Sequence, residues 1–160
     1  MKKLLLLSIL MFSMFSFAQD STNPVIVTLK TFLVNTIDGV ESFKESSTAR
    51  PGQIVEYRLD IQNKGDEVLP AGIVSIVGPI LEGTSYVLNS ATPSSDQVLT
   101  EFSTDTVNFS VAPVLIGTGS SRREAKAEEF KSVRWTILED MAPGKKYNFV
   151  YRVMMDKNNN

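Results

Sequence analysis

The side chains that carry most enzyme chemistry are scarce in this chain, because its 160 residues include no cysteine and no histidine. This absence excludes thiol nucleophiles, Ser-His and Cys-His catalytic arrangements, zinc sites built from Cys or His, and haem ligation by His. What remains for reaction chemistry is a set of 18 Asp and Glu carboxylates. Function must therefore be sought among carboxylates, aromatic rings and the protein surface.

Paired carboxylates can act as the acid and the base of glycoside hydrolysis. Such a pair needs a pocket and perturbed pKa values, and no pair in this sequence lies in a recognisable motif. Glu and Arg residues such as Glu56 and Arg58 alternate along predicted strands, which is typical of solvated cross-strand contacts. We therefore predict no catalytic residue and a protein that is not an enzyme.

A glycine-rich run, Gly117-Thr-Gly-Ser-Ser121, has the composition of a phosphate-binding or nucleophile loop. A phosphate loop requires Gly-Lys-Ser/Thr opening a helix after a strand, and a nucleophile elbow requires Gly-x-Ser-x-Gly. Neither pattern is present. The run is predicted to be a hairpin loop, and no cofactor is expected.

Three acidic turn sequences offer oxygen ligands of the kind that Ca²⁺ prefers. They are Asp38-Gly39, Asp66-Glu67 and Glu139-Asp140. A calcium site needs six to eight converging oxygens, and the chain has no EF-hand or Asp-x-Asp spacing. Turn formation accounts for each pair, so no metal ligand is predicted.

Aromatic side chains on strands can form either a ligand platform or a core. The candidates are Tyr57, Tyr86, Trp135, Tyr147 and Tyr151. The two inner faces of a β-sandwich need bulky residues, so these rings are predicted to be core, with Trp135 pointing inward. Exposure of Tyr86 or Tyr151 on a flat sheet face would favour a ligand-binding module instead.

Alternation of apolar and polar residues identifies the elements that position these groups. Residues 54–62 alternate between one dry and one wet face, after a Pro51-Gly52 turn and before Asn63-Lys-Gly65. The same pattern follows Pro143-Gly144, along residues 145–156. Both segments are predicted to be antiparallel strands.

Further strands are predicted wherever β-branched and aromatic residues lie between turn dipeptides. They cover residues 25–34, 73–77, 85–88, 97–102, 107–115 and 132–137. Residues 120–131 are predicted to be a solvated excursion with at most one helical turn, and residues 89–106 a long loop or irregular hairpin. The resulting fold class is all-β, an immunoglobulin-like antiparallel β-sandwich of about seven to nine strands.

These motifs resemble a known family. Pro51-Gly-Gln-x-Val-x-Tyr-x-Leu-x-Ile-x-Asn-x-Gly65, Gly83-Thr-Ser-Tyr-Val87, Val133-x-Trp135 and Leu138-x-x-Met-Ala-Pro-Gly144 are similar to the bacterial surface-repeat domain catalogued as domain of unknown function eleven. The resemblance covers roughly residues 25–155 and implies an immunoglobulin-like module of a secreted or surface protein. Gln53 stands where the family usually has Asp, which removes a carboxylate, and the chain carries one copy instead of a tandem array.

The ends of the chain predict export. Residues 1–18 read as a cleaved signal peptide, with Lys2 and Lys3 before an apolar run and a small-x-small site ending at Ala18. A short leader (19–24), the sandwich domain (25–156) and a polar tail (157–160) follow. Without the signal, 14 basic and 18 acidic side chains give a formal charge of −4, which argues against nucleic acid as a partner.

The predicted function is a non-catalytic secreted or periplasmic module with a structural or adhesive role. Its predicted partner is another envelope or surface protein, contacted through residues 89–131 or an exposed sheet edge. The mature chain is predicted not to be inserted in a membrane. The alternatives are a small-ligand or carbohydrate-binding module and an enzyme of unrecognised type.

Overall fold

The computed structural model describes residues 23–157, which form ten β-strands and two 3-10 turns. The strands are β1 (Val25–Ile37), β2 (Val40–Glu45), β3 (Ile54–Asn63), β4 (Ser75–Pro79), β5 (Thr84–Tyr86), β6 (Val98–Ser103), β7 (Leu115–Ile116), β8 (Arg123–Glu124), β9 (Ser132–Ile137) and β10 (Lys146–Met155). The 3-10 turns are Gly119–Ser121 and Ala127–Glu129. The predicted signal peptide, most of the leader and residues 158–160 lie outside the described residues.

The strands form two main sheets and a small hairpin. A five-stranded sheet has the order β2-β1-β3-β10-β5, a three-stranded sheet has the order β4-β9-β6, and β7 pairs with β8. Each pairing among the described residues is antiparallel. The predicted all-β sandwich class is therefore confirmed.

The strand count of ten slightly exceeds the expected seven to nine. Two of the additional strands, β7 and β8, are only two residues long. The predicted strand over residues 107–115 is wrong for most of its length, since only a bridge from Ser110 to Phe102 and the start of β7 are paired there. The predicted single helical turn within residues 120–131 corresponds to the second 3-10 turn, Ala127–Glu129.

The core lies between the two main sheets. Trp135 of β9 is fully buried and stacks on Phe149 of β10, with ring centroids 5.1 Å apart. The Trp135 indole N–H donates to the Thr92 carbonyl (3.1 Å), and the Tyr151 hydroxyl donates to the Pro79 carbonyl (2.8 Å). Buried ring polar groups are thus hydrogen-bonded, as such groups require. The inward orientation predicted for Trp135 is confirmed.

A tight hairpin joins β1 to β2. Ile37 pairs with Val40 across a two-residue turn in which Asp38 and Gly39 both have positive φ, 52° and 78°. That is the type I′ geometry that Asp-Gly favours, because its twist matches that of the flanking strands. Asp38-Gly39 therefore builds a turn, and β2 is a strand that the sequence pattern did not reveal.

Within residues 23–157, no helix is long and apolar enough to cross a lipid bilayer.

Candidate functional site

One edge of the five-stranded sheet is left open along the first half of β1. β3 pairs with residues 25–34 of β1, whereas β2 pairs only with residues 32–37. From Val25 to Lys30, β1 therefore has a neighbouring strand on one side only among the described residues. This stretch, residues 25–30, is called the open edge below.

The backbone of the open edge presents hydrogen-bonding groups away from the sheet. The Pro24 carbonyl accepts the Lys64 N–H on the β3 side (2.7 Å), and the Thr31 carbonyl accepts the Ser46 N–H on the β2 side (3.0 Å). Because these directions alternate along a strand, Val27 and Leu29 share the direction of Thr31. Their N–H and C=O groups point outward and are available to another strand.

The side chains beside this edge are apolar and poorly covered. Val27 is 45% exposed and Leu29 is 55% exposed, although their pairing partners on β3, Ile61 and Leu59, are buried. The inner faces of β3 and β10 are buried in the core, whereas on β1 the residues that pack against the core are Val25 and Leu33, on either side of Val27 and Leu29. These two side chains consequently lie on the inner face of the sheet without a complete cover.

A groove of about 330 Å³ runs between the open edge and the beginning of the three-stranded sheet. Its apolar lining is Val25, Val27, Leu69, Ile73, Val74 and Ile76. Ile73 is 66% exposed. The groove and the backbone of Val27 and Leu29 together form a surface that a β-strand with apolar side chains would complete.

A second concave site lies at the other side of the sandwich, around Tyr86. It is a cavity of about 300 Å³ whose walls are mostly apolar. Its lining includes Tyr86, Leu88, Ala91, Phe102, Val111 and Phe130. Burial raises the pKa of Tyr86.

The outer face of the five-stranded sheet carries a network of ion pairs. Glu56 is only 3% exposed, and its carboxylate accepts hydrogen bonds from Arg58 Nε (2.6 Å) and Arg152 Nε (2.8 Å). The Arg58 guanidinium also lies 4.7 Å from the centre of the Phe43 ring. The expectation that Glu56 lies on a wet face is wrong, because these arginines and the β1–β2 hairpin cover it.

The acidic turn sequences that were considered as calcium ligands are engaged in local structure. The Glu139 carboxylate contacts Lys145 Nζ (3.1 Å) and the Tyr147 hydroxyl, while Asp140 Oδ1 accepts the Ala71 N–H (2.9 Å). The Glu67 carbonyl accepts a hydrogen bond from the Asn63 amide (2.8 Å). Residues 23–157 bring together no group of three acidic side chains that could hold a metal ion.

The glycine-rich run forms the loop between β7 and β8, as the sequence predicts. Gly117 has a φ of 83°, which favours glycine, and the Ser121 hydroxyl donates to the Thr118 carbonyl (2.7 Å). The Ser121 hydroxyl is therefore bonded within its own turn, and within residues 23–157 it forms no hydrogen bond to a side chain that could act as a base.

The aromatic residues are placed as core. Trp135, Tyr86 and Tyr151 are buried, and Tyr57 and Tyr147 are half-buried. Among residues 23–157 only one aromatic side chain, Phe43, is exposed, and it lies beneath Arg58 and Arg152. The flat aromatic platform on which sugar rings commonly stack is thus not found in the described residues.

Sequence reasoning predicted contact through an exposed sheet edge or through residues 89–131, and most residues that line the cavity fall within 89–131, but it identified neither the groove nor the cavity. The open edge had one readable signal, since residues 25–30 carry a single charged side chain, Lys30, where edge strands usually carry several charges or a proline. The cavity had no signal in the sequence, because Tyr86, Phe102 and Phe130 come from distant parts of the chain.

No family model, no curated protein and no solved structure matches this chain.

Proposed function

We propose that this chain is a non-catalytic interaction module of an exported protein, and that it binds its partner by accepting a β-strand along the open edge of β1. The partner is another envelope or surface protein, as the export signal and the resemblance to surface-repeat domains suggest. The observation that carries the proposal is the outward-facing backbone of Val27 and Leu29 beside an apolar groove.

The chemistry of the edge specifies what the partner strand must look like. Hydrogen bonds to Val27 and Leu29 supply affinity without sequence preference, and the groove supplies selectivity for alternate side chains. The groove lining contains no charged residue. The partner therefore carries apolar residues at every second position, facing Val27, Leu29 and Ile73, and polar residues on the other face, near Lys30.

The open edge lacks the features that usually prevent a free strand from pairing with other chains, and this favours a binding role. Proteins usually shield a free edge with lysines, prolines, bulges or a covering loop, because an exposed apolar edge invites pairing with other chains. Residues 25–29, Val-Ile-Val-Thr-Leu, carry no charge and no proline. An edge of this kind is expected to have a physiological occupant.

The arrangement of the charged residues supports a role without catalysis. Several of the described glutamates form ion pairs with arginine, as in Glu101 with Arg134 (2.7 Å) and Glu129 with Arg123 (2.6 Å). A general acid or base needs instead a raised or matched pKa within a cleft. The proposed activity is therefore binding.

The test is capture of a partner from the native envelope by the mature chain, followed by mapping of the contact. We expect a captured protein to protect the amides of Val27 and Leu29 from hydrogen exchange once it is purified and added back. Val27→Lys is expected to weaken binding about tenfold, the cost of leaving one valine side chain uncovered.

Ile37→Lys is the matched control, because Ile37 is an exposed apolar residue of the same strand that lies beyond the open edge, 71% exposed. It is expected to bind like the unmodified chain. Equal capture by Val27→Lys, with protection appearing within residues 89–131 instead, would show that the loops and not the edge make the contact.

A small-ligand-binding role is the second candidate, and the cavity around Tyr86 is the observation that favours it. A carbohydrate is the less suitable ligand, because sugars need several hydrogen-bonding side chains and an exposed ring. An apolar small molecule matches the cavity lining better.

A further inference from the structure

The cavity around Tyr86 shares no lining residue with the groove beside β1. It is therefore a separate site, and any ligand it takes is distinct from the partner strand. The inference below rests on the second candidate function, small-ligand binding, and is independent of strand pairing at the open edge.

Three aromatic rings build the inner wall of the cavity. The centroid of the Tyr86 ring lies 5.4 Å from that of Phe102 and 5.5 Å from that of Phe130, and the two Phe rings are 5.6 Å apart. These tilted arrangements present ring edges and faces at different angles. A flat ring entering the cavity would therefore meet both kinds of aromatic contact.

The cavity favours a neutral ligand. Of the described residues that line it, none carries a charge. A charged ligand would lose its hydration without gaining an ion pair, which is costly in an apolar site. The rim includes Leu88, 55% exposed, and Val111, 53% exposed, so a bound apolar ligand would also cover these side chains.

Tyr86 contributes a buried hydroxyl group to this wall. Tyr86 is only 4% exposed, and its hydroxyl oxygen accepts the Ala91 N–H at 3.1 Å. The Ser90 hydroxyl lies beside the same oxygen as a further hydrogen-bond partner of Tyr86, and Ser90 Oγ also accepts the Arg152 N–H at 2.9 Å. An acceptor on a ligand would therefore compete with Ser90 for the Tyr86 hydroxyl hydrogen.

The other hydroxyl groups of the lining are already engaged. The Thr100 hydroxyl donates to the Thr92 carbonyl (2.9 Å), and the Ser94 hydroxyl oxygen accepts the Thr100 N–H (2.9 Å). These bonds hold the floor of the cavity in place. Tyr86 is thus the lining residue whose hydroxyl hydrogen is not taken by a backbone carbonyl within residues 23–157.

The volume limits the size of the ligand. About 300 Å³ is at the lower end of the range for small-molecule sites, which suits one ring with a short substituent. We propose that the cavity around Tyr86 binds a neutral aromatic small molecule whose substituent carries a hydrogen-bond acceptor, with the ring against Phe102 and Phe130 and the acceptor bonded to the Tyr86 hydroxyl.

The test uses three related probes and NMR titration of the mature chain. Acetophenone has the ring and a carbonyl acceptor, ethylbenzene has the ring and a similar shape without the acceptor, and benzoate carries a charge. We expect acetophenone to shift signals of Phe102, Phe130 and Ala91, ethylbenzene to bind about fivefold more weakly, and benzoate not to bind.

Two variants separate the hydrogen bond from the cavity. Tyr86→Phe keeps the ring and is expected to remove the preference for acetophenone over ethylbenzene, whereas Tyr57→Phe, a tyrosine outside the cavity, leaves that preference intact. Ala91→Leu fills the cavity and is expected to abolish binding of both probes, while thermal unfolding confirms that this variant folds.

Binding that survives in Ala91→Leu would overturn the location of the site. An unchanged preference in Tyr86→Phe would overturn the role of the hydroxyl, and failure of every probe to bind the mature chain would overturn the proposal as a whole. None of these outcomes affects strand acceptance at β1, which is measured by protection of Val27 and Leu29.

Discussion

Arg152 and Glu41 lie 111 residues apart in the chain, and their side chains meet in a two-pronged ion pair. Arg152 Nη1 donates to Glu41 Oε1 at 2.7 Å, and Nη2 donates to Oε2 at 2.8 Å. The same guanidinium donates through Nε to the buried Glu56. Since Glu41 is on β2 and Arg152 is on β10, the β1–β2 hairpin must fold across the outer face of the sheet.

Replacing Arg152 should therefore destabilise the domain more than any other change on this face. Arg152→Ala leaves the buried Glu56 with Arg58 as its remaining charged partner, and we expect a loss of about 2 kcal/mol, the size of a hydrogen bond to a charged group. Chemical denaturation measures it. Lys146→Ala, on the same face of the same strand, is the control and should stay within about 0.5 kcal/mol.

Glu41→Gln should cost less than Arg152→Ala, because Glu41 is more exposed and Glu56 keeps both arginines. If Arg152→Ala proves as mild as Lys146→Ala, the network does not hold the hairpin.

Gly78 should not tolerate a side chain, although its backbone does not require glycine. A Cβ atom at this position would lie 2.7 Å from Tyr151 Cε1 and 3.2 Å from Trp135 Cζ3. Gly78→Ala is expected to cost about 1–3 kcal/mol through overpacking of the core. Denaturant unfolding gives the value, and Val77→Ala, at the exposed neighbouring position, should cost less than about 1 kcal/mol.

A double variant identifies the cause of this loss. If the clash with the Tyr151 ring is responsible, Gly78→Ala combined with Tyr151→Leu will cost less than the sum of the two single changes. If the two free-energy costs are strictly additive, the loss in Gly78→Ala does not come from a clash with the Tyr151 ring.

Stability should fall at alkaline pH because of Tyr147. Burial, and then the hydrogen bond to the Glu139 carboxylate, raise the pKa of Tyr147 from 10.0 to about 12. The raised pKa means that the unfolded chain releases this proton first, so the stabilisation is complete below pH 10 and is lost as the pH rises toward 12. The alkaline arm of a stability–pH curve measures the effect.

Tyr147→Phe should flatten that alkaline arm, and Glu139→Gln should shift the absorbance titration of Tyr147 to lower pH while burial keeps it above 10.0. An unchanged alkaline slope in Tyr147→Phe would contradict the assignment and direct attention to Tyr151, whose pKa is also raised by burial.

The loop around the second 3-10 turn should loosen in acid. The bidentate bond from Arg123, followed by the Lys126 N–H, lowers the pKa of Glu129 from 4.5 to about 2. A lowered pKa gives stabilisation that is present above pH 4.5 and is lost as the pH falls toward 2. The protection factor of the Lys126 amide, which corrects the observed exchange rate for the pH dependence of intrinsic exchange, should fall across that interval.

Glu129→Gln should lower the same protection factor at neutral pH, because it removes the charge that Arg123 binds. Glu128→Gln is the matched control, since this neighbouring carboxylate forms no ion pair or hydrogen bond within the described residues. A Lys126 amide that exchanges equally in both variants would show that Glu129 does not order the loop.

Much of the scaffold was readable from local patterns. The alternation along β3 and β10 and the turn dipeptides around them predicted these strands almost to their ends, because side-chain direction reverses at each residue of a strand. The same rule placed Trp135 and Tyr151 inside. The β1–β2 hairpin was missed because every residue of β2 is exposed. Its sequence therefore lacks the alternation of apolar and polar residues that marks a strand with one buried face.

The sequence predicted contact through an exposed sheet edge or residues 89–131, but it did not indicate which edge is open or that a cavity forms. Both features depend on what lies beside a residue and not on the residue itself. Val27 and Leu29 look like ordinary core positions, and they are exposed only because β2 pairs too late along β1 and the second sheet ends before reaching them. Glu56 looks like a surface charge, and it is buried by residues of two distant strands.

The sequence by itself determined the all-β class, the inward aromatic face and the lack of Cys and His chemistry, because these follow from composition and from a two-residue period that each segment carries alone. Only the tertiary structure decided which edge stays unpaired, which carboxylate is buried, and that Tyr86, Phe102 and Phe130 enclose a cavity. The physical reason is that coverage and cavities are properties of packing between segments, and no single segment contains that information.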